Sequence, residues 1–220
     1  MRSWRWIIGV AQAASMLTGL TGTSSAAKVS LGGGVGAAFP SGDFGDVFNS
    51  GIDGGVFADF WLNEQFALGL DVAGDWHNAK DEINDQLNAF TEEFLLDSGA
   101  TTADSNLEIK ASILRFGARA SLAVPTGTRV SPFFRAGIGA YRIEQKLEGT
   151  VTADGASQSV DESDDDTKMG INGAAGLRFE VSPGTSLGLQ GQIHNVFTED
   201  ESTQYFGFHA LVSFDFGGGS

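Results

Sequence analysis

Polar and apolar residues alternate with a period of two along most of this chain, and the run 205–216 does so almost without error. Phe206, Phe208, Ala210, Val212, Phe214 and Phe216 share one side; Tyr205, Gly207, His209, Leu211, Ser213 and Asp215 share the other. A period of two puts successive side chains on opposite faces of an extended backbone, so the run predicts a β-strand with one apolar face. The same reading predicts strands at residues 28–39, 52–62, 66–77, 107–124, 131–147, 168–182, 186–198 and 205–216. Most exceed the ~9–11 residues that a tilted strand needs to cross a bilayer.

The connections alternate in length. Asn63-Glu64-Gln65, Pro125-Thr126-Gly127-Thr128-Arg129 and Pro183-Gly184-Thr185 read as tight turns, because Asn, Gly and Pro set the backbone there. Between them lie long polar connections at 40–51, 78–106 and 148–167, and a short acidic one at 199–203. Short turns at one end and long loops at the other are the layout of a transmembrane barrel. Within the second long connection, Ile83, Leu87, Phe90 and Phe94 recur at helical spacing among acidic residues, predicting a short amphipathic helix over 82–97. Its apolar stripe is expected to lid the barrel mouth, with presentation of an acidic, aromatic surface as the second reading.

The two faces differ in kind. One carries Leu31, Val35, Val56, Phe60, Leu68, Leu70, Trp76, Leu114, Phe116, Ile138, Leu177, Leu189 and Ile193. The other carries glycines, among them Gly32, Gly34, Gly69, Gly117, Gly139 and Gly176, with single large polar groups placed between them. A water-facing surface has little need of glycine, whereas the lumen of an eight-stranded barrel has room only for interdigitated side chains. The polar face is therefore expected inside and the apolar face against lipid. Phe39, Phe60, Phe66, Trp76, Phe133, Phe134, Phe197, Phe214 and Phe216, near strand ends, are expected to form interfacial girdles.

Composition sharpens this picture. Residues 1–27 read as a secretory signal: Arg2 and Arg5, a mostly apolar stretch from Ile7 to Leu20, then Ser25-Ala26-Ala27 for cleavage. Gln12, Ser15 and Thr18 interrupt that stretch, which falls short of the ~20 apolar residues of a spanning helix. The barrel domain is then 28–220. With no cysteine, a disulfide framework and a lipidated N-terminus are both excluded. The formal charge of −15 argues against nucleic acid, whose phosphates need clustered Lys and Arg. Thirty-one glycines against four prolines suit close backbone approaches in an all-β protein.

The strand count, the Gly137-Ile138-Gly139-Ala140-Tyr141 element and the terminal aromatic alternation resemble the small eight-stranded outer-membrane proteins of Gram-negative bacteria, the OmpA-transmembrane, OmpX and opacity-type barrels. The resemblance covers essentially all of 28–220. It implies an all-β, eight-stranded antiparallel up-and-down transmembrane barrel located in the outer membrane. It further implies contact with outer-membrane lipids and lipopolysaccharide, and recognition of Phe206, Phe208, Phe214 and Phe216 by the barrel-assembly machinery. Family members end on the aromatic itself, whereas Gly217-Gly218-Gly219-Ser220 follow Phe216 here.

Among candidate sites, Arg115, Arg119, Arg135 and Arg178 are expected to meet Asp59, Asp71, Asp75 and Glu180 in a lumen network that includes His209. Charges in a narrow lumen must pair or hydrate. The network reads as a polar plug, with a narrow ion path as the alternative. His194 and His209 invite comparison with barrels that deacylate lipid A, which resemble a His-x-Ser arrangement. Here His194 is followed by Asn195-Val196 and His209 by Ala210-Leu211, so the nucleophile position is empty. The acidic run containing Asp161, Asp164, Asp165 and Asp166 lacks the central glycine and distal glutamate of an EF-hand loop, and reads as a solvated loop tip with weak divalent-cation binding at most. No cofactor is expected. The function expected is a non-catalytic barrel that anchors acidic surface loops, adding to envelope integrity and to contact with an unidentified surface ligand.

Overall fold

The computed structural model describes residues 28–198 and 202–217. The predicted export signal, the acidic residues 199–201 and most of the terminal glycine tail, 218–220, lie outside the described residues. Eight antiparallel strands close into a barrel in sequence order: β1 (Lys28–Ser41), β2 (Gly51–Trp61), β3 (Phe66–Asn78), β4 (Ala103–Ala123), β5 (Val130–Ala153), β6 (Ala156–Ser182), β7 (Thr185–Phe197) and β8 (Ser202–Phe216). Closure is made by β1 and β8, in register from Val29 opposite Phe216 to Ser41 opposite Gln204. Full closure leaves no unpaired edge within the wall, which a lipid environment demands because nothing there can satisfy a free backbone group.

The polarity is inverted relative to a water-soluble barrel. Val35 and Phe208 are 68% and 65% exposed on the outer surface, while Asp59 and His194 are 2% and 0% exposed inside. A continuous exposed apolar belt around a buried polar interior is stable only with hydrocarbon outside. Glycine permits the narrow interior. A Cβ on Gly117 would stand 2.9 Å from an Asp71 carboxylate oxygen, and one on Gly139 would stand 2.7 Å from the Phe116 carbonyl.

One end of the barrel carries the short turns. Asn63 Oδ1 accepts hydrogen bonds from the backbone N–H groups of Gln65 and Phe66 at 2.9 and 2.8 Å, so the side chain itself builds the β2–β3 turn. The other end differs from expectation in three places. The connection 148–167 is not a loop: β5 and β6 continue as one hairpin to a two-residue turn at Asp154-Gly155, with φ of 50° and 81°. Asp-Gly with both residues at positive φ is the strongest short hairpin signal, and its right-handed twist matches the strands it joins. The first long connection contains a short helix, α1 (Gly42–Val47), with no counterpart in the sequence reading.

The second long connection forms the predicted helix, α2 (Asp81–Asp97). It does not lid the mouth. Instead α2 lies along β4, and Phe90 and Phe94 of its apolar stripe are left exposed. The mouth is closed by α1, whose Phe44 packs on Phe48 (4.8 Å between ring centroids) and on His77 (5.3 Å). Phe44 also rests on the cluster of Ala38, Ile113, Tyr141, Val196 and Tyr205 at the top of the barrel interior. Phe133, expected in a girdle, is 6% exposed and turned inward, with the Arg135 guanidinium 4.5 Å from its ring.

Candidate functional site

The interior is built from residues at alternate positions of every strand, and several of its contacts run between strands that are not neighbours in the wall. Arg119 on β4 reaches Asp59 on β2 through two bonds, Nε to Oδ1 at 2.9 Å and Nη2 to Oδ2 at 2.7 Å. Arg115 donates from Nε to Asp71 Oδ2 at 2.9 Å and from Nη1 to the His194 ring at 3.0 Å, joining β3, β4 and β7. Arg135 donates to Gln190 Oε1 at 2.8 Å and lies 3.9 Å from Asp59, tying β5 to both β7 and β2. Arg119 and Arg135 also sit 4.1 and 5.0 Å from the Phe57 ring, a cation–π arrangement that helps to offset the desolvation of two adjacent guanidinium groups.

Above this layer, His194 stacks flat on Tyr205, with ring centroids 4.2 Å apart and planes 2° from parallel. Tyr205 Oη donates to Asp75 Oδ2 at 3.2 Å across the barrel. His209 Nε2 donates to Asp53 Oδ2 at 2.6 Å. Below it, Arg178 donates to Asp215 at 2.6 Å and to Ser186 at 2.9 Å. The gaps between these layers are small. Cavities of about 40 and 30 Å³ remain, each with room for a few water molecules. Ser121 Oγ and Arg135 Nε, which find no protein partner, line the smaller of the two.

Asp59, Asp71, Asp75, Arg115, Arg119, Arg135, Arg178 and His209 all point into the interior, where Arg115 pairs with Asp71 and Arg119 and Arg135 with Asp59, whereas Asp75 takes the Tyr205 hydroxyl in place of an arginine. Glu180 departs from that set: it is exposed at the short-turn end, where a register shift falls between Glu180 and Ser182, and joins none of these ion pairs. Arg178 takes Asp215 instead. Asp53, the partner of His209, was missed, although it shares parity with Gly55, Phe57 and Asp59 on β2. The hydrogen-bond partners of the two lumen histidines among the described residues are Arg115, Tyr141, Gln190 and Asp53, and none is the serine of a His-x-Ser arrangement.

Outside the wall, β4, β5 and β6 continue as a three-stranded fin. β4 pairs with β3 only as far as Lys110 opposite Asn78, and β6 pairs with β7 only from Gly170 opposite Val196, so beyond Lys146, the β5 partner of Lys110, residues 147–153 stand in a sheet of β4, β5 and β6 alone. That is about 25 Å of strand. The acidic run lies in the strand β6, which corrects the expectation of a solvated loop tip. Alternation sends Asp161 and Asp165 to one face and Asp164 and Asp166 to the other, so the four carboxylates cannot converge on one ion. Arg142 pairs with Asp165 at 2.9 Å, Lys146 with Asp161 at 3.2 Å, and Lys168 with Asp166 at 2.7 Å. Among the described residues, no group of three or more acidic or histidine side chains is placed to hold a metal.

Glu148 accepts from both Lys110 and Lys146 on the same fin face, and these bonds hold its carboxyl down to about 2. At the tip, Asp154 Oδ1 accepts from Thr101 Oγ1 at 2.5 Å and from the N–H groups of Thr101 and Thr102 at 2.8 and 3.1 Å. The Thr101 hydroxyl, then the two amides, lower the Asp154 carboxyl below its ordinary value.

An antiparallel barrel with a lipid-facing apolar belt, a filled polar interior, short turns at one end and a fin at the other is a transmembrane barrel of the outer-membrane type. Residues 7–216 match the family described as the outer membrane protein beta-barrel domain, and the chain belongs to that family of the outer membrane. The fold is shared with Neisserial surface protein A at 16% identity, covering 89% of this chain and 99% of that one, with a TM-score of 0.50. It is shared with Ail, the attachment invasion locus protein of Yersinia pestis, at 11% identity, with coverage of 86% and 99% and a TM-score of 0.53. A major outer membrane protein of Thermus thermophilus is similar at 13% identity, with coverage of 86% and 99% and a TM-score of 0.50. No curated protein sequence matches the chain. The short-turn end is the periplasmic end and the fin is extracellular, as in barrels of this class.

Proposed function

We propose that the protein is a non-catalytic scaffold of the outer membrane that displays an acidic fin at the cell surface, adding to envelope integrity and making surface contacts. The observation that carries this reading is the interior bridging. Arg115 to His194, Arg135 to Gln190 and Asp59, and Tyr205 to Asp75 span the lumen at successive heights, which suits a plug better than a conduit. A buried paired network of this kind also fixes strand register, because each arginine is satisfied in one arrangement only. Outer-membrane lipid and lipopolysaccharide would pack against the apolar belt. The alternating Phe206, Phe208, Phe214 and Phe216 on β8 would serve recognition by the barrel-assembly machinery.

Surface contact is the part of the reading that the fin supports. The Yersinia pestis attachment protein is described in complex with a heparin analogue, an anion. The fin here carries Asp161, Glu162, Asp164, Asp165 and Asp166 within six residues, which favours a different charge class. Conductance in planar bilayers tests the scaffold reading. The purified barrel is expected to give no stable channel steps, and discrete reproducible steps would replace the plug with a pore. Mass analysis of lipid A is expected to show the same species with and without the protein; a new species would make it an enzyme.

A further inference from the structure

Among the lumen cations, Arg135 is the least well served by the protein. Its Nη1 donates to Gln190 Oε1, a neutral acceptor, at 2.8 Å, its Nη2 stands 3.9 Å from Asp59, and its Nε finds no protein partner. The Phe57 and Phe133 rings lie 5.0 and 4.5 Å from its guanidinium carbon. Rings attract the cation but leave its in-plane N–H groups needing acceptors. The carboxylate within reach is already committed, because Asp59 gives one oxygen to Arg119 Nε and the other to Arg119 Nη2. Asp215 is committed too, its Oδ2 serving Lys28 at 2.9 Å and Arg178 at 2.6 Å. Asp53 and Asp75 belong to the layer above, where they meet His209 and Tyr205. The periplasmic half of the interior thus sets Arg119, Arg135 and Arg178 against two carboxylates, with Lys28 at its rim. Buried charge in excess of this kind needs a counter-charge close by.

The cavity of about 30 Å³ lies beside this guanidinium, between Arg135 and Arg178. Ser121, 4% exposed, lines it as well, and its Oγ is likewise without a protein partner. Ser131 and Ser213 add hydroxyl groups, and Asp59 is the one carboxylate in the lining among the described residues. Trp61, Ala123, Ser131 and Arg178 belong both to this cavity and to a wider vestibule of about 360 Å³ at the periplasmic mouth, so the two adjoin. Lys28 and Arg129 stand in that vestibule, opposite Glu64, Glu180 and Asp215.

We propose that the cavity binds one monatomic anion, of which chloride is the natural example, on Arg135 and the Ser121 hydroxyl. Arg178 completes its positive surroundings, and the periplasmic vestibule is its way in. Water would satisfy the unpartnered donors but leave the charge uncompensated, whereas a halide does both. A polyatomic anion would bring several acceptor oxygens into a space with room for a few waters, each of them needing a donor. The site goes beyond the scaffold reading: the ion belongs to the barrel's own plug and is independent of whatever the fin meets.

The test uses the full-length protein in a non-ionic detergent, with bromide and chloride as probes. Crystals grown in sodium bromide and measured at the bromine absorption edge are expected to show an anomalous peak in the cavity, in contact with Arg135 and Ser121. In solution, chloride is expected to broaden its own NMR line on binding, and bromide to reverse the broadening. Chloride should raise the thermal unfolding midpoint in a saturable way, while gluconate at the same ionic strength should not. Ser121→Ala should weaken halide binding about tenfold, the loss of one hydrogen bond to a charge. Arg135→Gln should abolish it. Should Arg135→Gln fail to fold, the wild-type diffraction and Ser121→Ala decide. Bromide confined to the vestibule at Lys28 and Arg129, or water alone in the cavity, would overturn the site. Halide binding unchanged in Ser121→Ala, or equal stabilisation by chloride and gluconate, would do the same. Saturation only at molar bromide would mean an adventitious ion only and end the proposal.

Discussion

Arg119 holds Asp59 in a two-point clamp across the barrel interior, with bonds of 2.9 and 2.7 Å. Both groups are almost wholly buried, and the bonds are made between β4 and β2, strands separated in the wall by β3. A charge left behind in such a place has neither water nor a partner. Arg119→Ala or Asp59→Ala should therefore cost about 3–5 kcal/mol in reversible urea unfolding from lipid vesicles. The double variant should cost clearly less than the sum of the two, because it leaves no orphaned charge. Additive costs would mean that the pair contributes little as a pair.

The same clamp explains why β3 carries glycine opposite it. A Cβ built on Gly69 would collide with the Asp59 carboxylate, while one on Gly54 meets nothing nearer than the Gly34 carbonyl at 3.6 Å. Gly69→Ala is expected to lower stability by about 1–3 kcal/mol, the usual cost of overpacking a tight interior. Gly54→Ala, on the outer face, should be close to neutral. The two unfolding midpoints compared under one lipid condition decide the matter.

Asn88 on α2 satisfies both backbone groups of Leu107 on the outer edge of β4. Asn88→Ala should free that edge and speed amide exchange at Leu107, with weaker effects at Ser105 and Ile109, which keep their bonds to Glu92 and Asn84. The expected local cost is about 1 kcal/mol for each lost bond. The membrane-embedded strands should keep their protection, since the fin stands outside the wall. Loss of protection throughout the barrel would show that α2 supports the fold as a whole.

Acid should loosen the fin before the barrel. Glu148 is held down to about 2, below its unfolded value near 4.5, so the order it confers is complete above the higher value and lost as pH falls through the lower one. Asp154 is shifted in the same direction by Thr101 and Thr102, so its tie to the tip disappears on the acid side as well. The protection of the Thr101 and Thr102 amides relative to their intrinsic exchange rates, followed downward from neutral pH, should fall below about pH 4. A loss of protection on the alkaline side instead would contradict the assignment.

The wall of the barrel was legible because its physics is local. Alternation at 205–216 places Phe206, Phe208, Phe214 and Phe216 outside and His209 and Asp215 inside, and their exposure and partners bear this out. The inward set follows from parity in the same way, and Asp53 belongs to it by the parity it shares with Asp59. The extracellular parts were less legible. Residues 148–167 are polar on both sides because both faces of the fin meet water, so the apolar alternation that marks a half-buried strand is absent. The Asp154-Gly155 turn was the available signal.

Which charge meets which was a matter for the closed structure alone. The fold class, the eight strands of the wall, the face that meets lipid and the residues that crowd the interior were readable from the chain, because a period of two is imposed by the backbone of each strand separately. That Arg178 takes Asp215 and leaves Glu180 at the rim, that Arg115 reaches His194 across the lumen, and that α1 closes the mouth while α2 seals one edge of the fin came from the assembled barrel. Those outcomes depend on the stagger and closure of the sheet, which set the heights at which side chains from distant strands meet.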